Sequence, residues 1–211
     1  MQTVLDERKI LIANLSKGEI GEDTSSLLGS MLITSIQLAS LFRSTRREQD
    51  RTPFYLYVDE MHSFISLSFV DILAEARKYK LSLFLTHQYI DQVHEKIRSA
   101  IFGNVGTIIS FRIGANDAHA LAKEFHPIFS EDDLINLPRY SMYLKLMIDG
   151  ATSKPFSAVT LPPKTVTESF KEKVIILSRK KYGKARAVVE KGIFERYQQK
   201  EEKDKTPGLF D

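Results

Sequence analysis

Apolar residues fall into short runs of strand length, separated by stretches with helical spacing. Lys9–Leu15 (KILIANL) is the first such run and predicts a strand leading into the polar, glycine-bearing loop SKGEIGED. Thr24 or Ser25 is placed to cap a long helix reaching about Arg47, which RREQDRTP ends with charge and proline. Phe54–Val58 (FYLYV) is apolar on both faces, the pattern of a central parallel strand covered on both sides. A helix across Phe69–Tyr79 follows, with Ile72, Leu73 and Ala76 on one side, and then the strand Leu81–Leu85 (LSLFL). A helix near His94–Phe102 leads to the strand Thr107–Arg112 (TIISFR), a helix over Ala115–Phe125 and a short one over Glu131–Leu137. Tyr140–Asp149 alternates as a strand, with Met142, Leu144, Leu146 and Ile148 on one face. Beyond the Asp149-Gly150 turn, Phe156–Leu161 is its antiparallel partner.

Strand and helix alternate from Lys9 to Phe125, which predicts a doubly wound α/β core with a mostly parallel sheet, flanking helices and a terminal β-hairpin. Pro162-Pro163 closes this part, giving a core over residues 1–163 and a charged helical tail over residues 164–211. Thr165 with Glu168 makes a capping box for the tail's first helix. The last stretch, QQKEEKDKTPGLFD, reads as disordered and ends in a short apolar plug. The run Leu27–Phe42 is interrupted by Ser30, Thr34, Ser35, Gln37 and Ser40, so it reads as a core helix rather than a membrane span.

With 43% hydrophobic and 27% charged residues, the 211-residue chain has the balance of a globular protein. Having no cysteine, it forms neither disulfides nor thiolate metal sites, which fits a reducing cytoplasm. MQTVLDERKI lacks the basic flank and apolar stretch of a signal peptide. The net charge of +3 says little by itself, but its distribution does. Arg179, Lys180, Lys181, Lys184 and Arg186 form the densest basic cluster, suited either to nucleic-acid phosphates or to a solvated helix face.

The sharpest chemical signal is the pair Asp59-Glu60 directly after FYLYV. Carboxylates at the C-terminal end of a buried strand sit where α/β sheets bind ligands. In P-loop ATPases this is the Walker B arrangement, in which Asp59 would hold Mg²⁺ through water and Glu60 would polarise the attacking water. One strand later LSLFL ends in Thr86-His87-Gln88, where the Gln88 amide suits a γ-phosphate sensor. One strand further, TIISF ends in Arg112, placed for an arginine finger. His62 and His87 stand near the acidic pair without the spacing of a protein-only metal cage. His119 and His126 read as packing or surface residues.

Five stretches, NLSKGEIGED, FYLYVDEMHSF, EARKYKLSLFLTHQYIDQ, IFGNVGTIISFRIGANDAHALAKEF and YLKLMIDGATSKPF, together resemble the C-terminal half of the RecA-like motor domain in the HerA/FtsK superfamily of P-loop ATPases. The resemblance runs from about residue 9 to residue 161 and is nearest to conjugative coupling proteins and type IV secretion ATPases. It implies a hexameric, ATP- and Mg²⁺-dependent DNA pump, cytoplasmic or at the inner face of a membrane through a partner or another segment. Asp59 and Glu60 then match the Walker B pair, Gln88 the sensor, Arg112 the finger, and Arg77 an arginine of unassigned role.

One part is missing. No G-x-x-x-x-G-K-[ST] occurs in the 211 residues. Gly183-Lys184 is followed by Ala185 and has Ser178 where the first glycine belongs. Without that loop no backbone nest cradles a β-phosphate, so the chain alone is expected to be inactive. The resemblance places the phosphate-loop strand in the interior of the sheet, beside those ending at Gln88 and Arg112, so its absence would leave apolar strand edges unpaired. Two readings stay open: a motor completed by an N-terminal segment or partner ATPase, or a non-catalytic regulatory module or remnant that contacts an intact ATPase.

Overall fold

The computed structural model of the chain describes residues 1–66 and 69–204, and contacts divide the chain into a unit over Met1–Thr160 and a second from Leu161 onward. The first opens with helices α1 (Gln2–Asp6), α2 (Lys17–Ile20) and the long α3 (Glu22–Leu41). Next come strand β1 (Phe54–Val58), helix α4 (Phe69–Glu75), strand β2 (Leu81–Leu85), helix α5 (Glu95–Asn104) and strand β3 (Ile108–Ser110). Helices α6 (Ala115–Phe125) and α7 (Glu131–Ile135) precede strands β4 (Ser141–Lys145), β5 (Met147–Ile148), β6 (Ala151–Thr152) and β7 (Phe156–Val159). The second unit holds α8 (Lys171–Tyr182) and α9 (Arg186–Asp204).

The α/β alternation is present, and β1 and β2 pair in parallel, Phe54 with Leu81 through Val58 with Leu85. The sheet is divided at the next step. β3 does not pair with β2. It joins β4 antiparallel (Ile109 opposite Leu144), and β4 pairs with β7 (Tyr143 opposite Ser157), so β2 and β3 each keep one unpaired edge. Asp149 and Gly150, with φ of 50° and 82°, turn the β5–β6 ribbon in the left-handed backbone that a two-residue hairpin demands.

Two apolar clusters hold this unit. Ile33 and Ile36 of α3, Ile72 of α4 and Ile97 of α5 pack with Val58 and Leu81 on one face of the β1–β2 pair. Ile90, Ala118, Leu121, Phe125 and Leu134 form the second cluster, beside β3 and β4. The buried Arg43 guanidinium fastens α1 to this body. It donates to Asp6 Oδ1 (3.1 Å), the Leu5 carbonyl (2.7 Å) and the Tyr79 carbonyl (3.0 Å), while Arg46 reaches Asp6 Oδ2 at 3.1 Å.

Several expectations are corrected. Lys9–Leu15 is not a strand: an extended segment needs a ladder partner for its N–H and C=O groups, and none adjoins it among the described residues, leaving Ile10 90% and Ile12 82% exposed. FYLYV is covered on one face only, since among the described residues no layer lies over Tyr55, Tyr57 and Phe84, and Tyr57 stacks on Phe84 at 4.4 Å in the open. Gly21 rather than Thr24 or Ser25 caps α3, because the Ser25 hydroxyl turns back to the Leu15 carbonyl (2.6 Å) from inside the helix. Of TIISFR only Ile108–Ser110 stays extended, as far as β4 supplies partners. Thr165 and Glu168 cap nothing, since the tail's first helix begins at Lys171.

By length and composition Glu22–Thr45 is apolar enough to cross a membrane, but Ile33, Ile36 and Ala39 on one of its faces are buried in the core. Of the stretch read as a disordered end, α9 covers the part up to Asp204, and residues 205–211 lie outside the described residues.

Candidate active site at the strand tips

The parallel register runs on past the ends of β1 and β2. The Thr86 N–H donates to the Val58 carbonyl (3.0 Å), and the Met61 N–H donates to the Thr86 carbonyl (2.9 Å). This ladder sets Asp59-Glu60 beside Thr86-His87-Gln88. Asp59 Oδ1 accepts from the Glu60 N–H (3.1 Å) and from the Thr86 hydroxyl, while the Gln88 side-chain amide donates to Glu60 Oε1. Asp59 is exposed and Glu60 half-buried. With Oδ1 doubly occupied, Asp59 presents Oδ2 to solvent, which fits a Mg²⁺ that keeps most of its waters and is shared with a nucleotide. Among the described residues, no group of three or more His, Asp or Glu is arranged to hold a metal.

Glu60 adopts left-handed backbone (φ 49°, ψ 49°), which disfavours a residue with a Cβ and is a form of strain found at functional sites. His62 Nδ1 lies 3.4 Å from Glu60 Oε2 but out of hydrogen-bonding geometry. His87 Nδ1 and Ser63 Oγ are likewise buried without a partner. Burial pushes the His87 imidazole below its ordinary pKa, against the opposing pull of Asp117 and a backbone contact at Tyr89.

Arg112 follows the end of β3 by two residues. It is exposed and makes no hydrogen bond or ion pair with a described residue. The structure therefore brings together Asp59, Glu60 and Gln88 and leaves Arg112 free. Exposed Arg77 falls in a 3-10 turn after α4, before the start of β2 and so at the opposite end of the strand from Gln88. Arg179, Lys180 and Lys181 occupy the last turn of α8, where a helix end favours cations in any case. Lys184 stands between the helices, and Arg186 is paired with Glu190 at 2.6 Å.

Sequence reasoning passed over Thr86 as a holder of Asp59. A hydroxyl one residue beyond the end of β2 was the available signal. It also passed over Asp117, whose burial no local pattern announces.

No family model matches this sequence, and no curated protein matches it. Solved structures do. An unbound, truncated form of the bacterial conjugative coupling protein TrwB aligns over 65% of this chain and 38% of its own, with 13% identity and a TM-score of 0.52. TrwB in complex with the non-hydrolysable ATP analogue ADPNP aligns over 72% of this chain and 39% of its own, again at 13% identity and a TM-score of 0.52. B204, the DNA-packaging ATPase of Sulfolobus turreted icosahedral virus, gives 11% identity and 0.46 over 72% of this chain and 68% of its own, too low to bear on the argument.

The chain has the RecA-like P-loop ATPase fold that its sequence resembles, in the form seen in TrwB. It spans about two-fifths of the length of the TrwB structures it matches.

Proposed function

We propose that these residues are the hydrolytic half of an ATP-driven DNA translocase. The observation that carries this reading is the meeting of two strand tips: Gln88 bonded to Glu60, and Thr86 bonded to Asp59. Asp59 holds Mg²⁺ through water, Glu60 polarises the attacking water, and Gln88 reads the γ-phosphate and steadies that water. A γ-phosphate that accepts from Gln88 releases the Glu60 oxygen to act. Arg112, unpaired and exposed, reaches the nucleotide of the next subunit in a hexameric ring. The basic cluster at Arg179, Lys180, Lys181, Lys184 and Arg186 follows the phosphates of the DNA. The machine works in the cytoplasm, at the inner face of a membrane where a channel partner recruits it.

The phosphate cradle comes from a segment outside these residues, in the same polypeptide or another. Its strand enters between the free edges of β2 and β3. Helices α3, α4 and α5 all lie on one face of the β1–β2 pair. A right-handed crossover leaving the gap in the opposite direction lays its helix on the other face, over Tyr55, Tyr57 and Phe84. That accounts for an aromatic surface left bare in this stretch.

The test is ATP hydrolysis by the chain joined to its phosphate-loop segment. Glu60→Gln should lower kcat on the order of 10²–10⁴-fold while nucleotide binding persists. Arg112→Ala should abolish activity alone and recover it when mixed with a Glu60→Gln subunit that supplies the arginine. If Glu60→Gln hydrolyses ATP at the wild-type rate, the reading fails.

A further inference from the structure

Asp117 is a buried carboxylate, 5% exposed, that the proposed chemistry does not use. It lies in the first turn of α6, five residues after Arg112. Its Oδ1 accepts the backbone N–H of Ile90 at 3.0 Å, two residues after Gln88. Ile90 is itself buried against Ala118, Leu121 and Phe125, so the contact sits inside the second apolar cluster rather than at a solvated helix end. A helix-capping role would direct Asp117 at the N–H groups of its own first turn, but this carboxylate points away from α6 to another loop. A buried hydrogen bond to a charged acceptor is strong, and losing it leaves the Ile90 N–H unsatisfied in an apolar surround.

Thr86 is held by the strand-tip ladder and by Asp59, and beyond it the segment that Asp117 pins is lightly held. Between β2 and the 3-10 turn Ile90–Gln92, residues 86–89 belong to no helix or strand, and Gln88 is exposed with its side chain bonded to Glu60. His87, in the same segment, keeps Nδ1 buried without a partner and lies within the electrostatic reach of Asp117. One side chain thus joins the loop bearing Gln88 to the loop bearing Arg112.

We propose that Asp117 is a positioning residue for Gln88. By fixing Ile90 it sets where the Gln88 amide stands relative to Glu60, and it ties that position to the β3–α6 corner that carries Arg112. A displacement of Arg112 on a neighbouring subunit's nucleotide therefore moves the sensor loop in its own subunit. The inference rests on the catalytic reading of Gln88 for its consequence, but its geometry stands apart from that reading.

The experiment is NMR of the ¹⁵N-labelled 211-residue chain. In wild type, the Gln88 side-chain amide should resonate away from free glutamine positions, and the Ile90 amide should resist hydrogen exchange. In Asp117→Ala the Gln88 side-chain signals should move to free glutamine positions and Ile90 should lose protection, while β7 amides are unchanged. Asp117→Asn, which keeps an acceptor oxygen, should restore most of both, and it serves as the working variant if the alanine change does not fold.

In the chain joined to its phosphate-loop segment, Asp117→Ala should lower kcat on the order of 10²-fold with little change in KM for ATP. Gln88 signals that stay in place in Asp117→Ala would overturn the proposal. Movement of those signals together with an active Glu60→Gln enzyme would instead leave the tether standing and sink the catalytic reading.

Discussion

Gly29 brings helix α3 against Phe64, in the loop that follows Glu60, and so gives a prediction that geometry can size. A Cβ on Gly29 would stand 2.2 Å from Phe64 Cδ1, 2.7 Å from Cε1 and 2.9 Å from Cγ. Carbon atoms rest at about 3.5–4.0 Å, so the ring or the helix must shift by more than about 1 Å. Phe64 has little room to yield: it is packed against the first cluster, and its carbonyl accepts from the Ser30 hydroxyl at 3.0 Å. Overpacking of this kind costs about 1–3 kcal/mol, and the gain in helix propensity from glycine to alanine returns about 1 kcal/mol. The net expectation for Gly29→Ala is a loss of up to about 2 kcal/mol, which places it about 1–3 kcal/mol below an unhindered glycine-to-alanine change.

Gly103 in α5 is the control, since a Cβ there meets nothing within 4 Å; Gly103→Ala should be neutral or slightly stabilising. Urea unfolding followed by circular dichroism at 222 nm reads both. Adding Phe64→Leu should recover part of the Gly29→Ala loss, a coupling that a double-mutant cycle isolates. If Gly29→Ala is as stable as Gly103→Ala, the close approach of α3 to Phe64 is wrong.

Three further outcomes follow from the same structure. Arg43→Met leaves the half-buried Asp6 carboxylate without its inner partner and should cost about 3–5 kcal/mol, measured in the same urea titration, whereas Lys9→Met, at an exposed pair with Glu7, should cost almost nothing. For His87 the folded protein takes up a proton less readily than the unfolded chain. Its contribution therefore leaves stability untouched above the ordinary imidazole value of about 6.5 and lowers it as pH falls below that, until the depressed folded value is reached; His87→Gln should flatten this part of a stability–pH curve. Replacing Lys180, Lys181 and Lys184 by glutamine should reduce the slope of log K against log salt for DNA by about 2–3, and an unchanged slope would assign the cluster to a solvated helix face.

The elements whose partners lie within this stretch were legible in the sequence. FYLYV and LSLFL are apolar runs of strand length, so the two strands, with Asp59, Glu60 and Gln88 just past their ends, could be read in advance. Helix α6 and the antiparallel partnership of the Tyr140 and Phe156 strands were equally plain, because their periodicity and turn residues are local. What could not be read depends on neighbours. KILIANL has strand composition but no adjoining edge, and Tyr55 and Tyr57 have core composition but no covering layer. The Asp117 tether joins residues 27 apart, and no spacing rule announces such a contact. Thr86 escaped notice because a threonine at a strand tip usually needs no explanation beyond β-propensity.

The most direct test of the central claim is a comparison of ATP hydrolysis by the 211-residue chain alone and by the same chain joined to a strand, phosphate loop and helix. The account predicts no turnover above background for the chain alone, Mg²⁺-dependent turnover for the joined protein, and its loss in Glu60→Gln. Turnover by the chain alone that Glu60→Gln removes would mean the phosphate cradle lies within these residues. Turnover by the joined protein that survives Glu60→Gln would mean that the meeting of Glu60 and Gln88 is not a catalytic site.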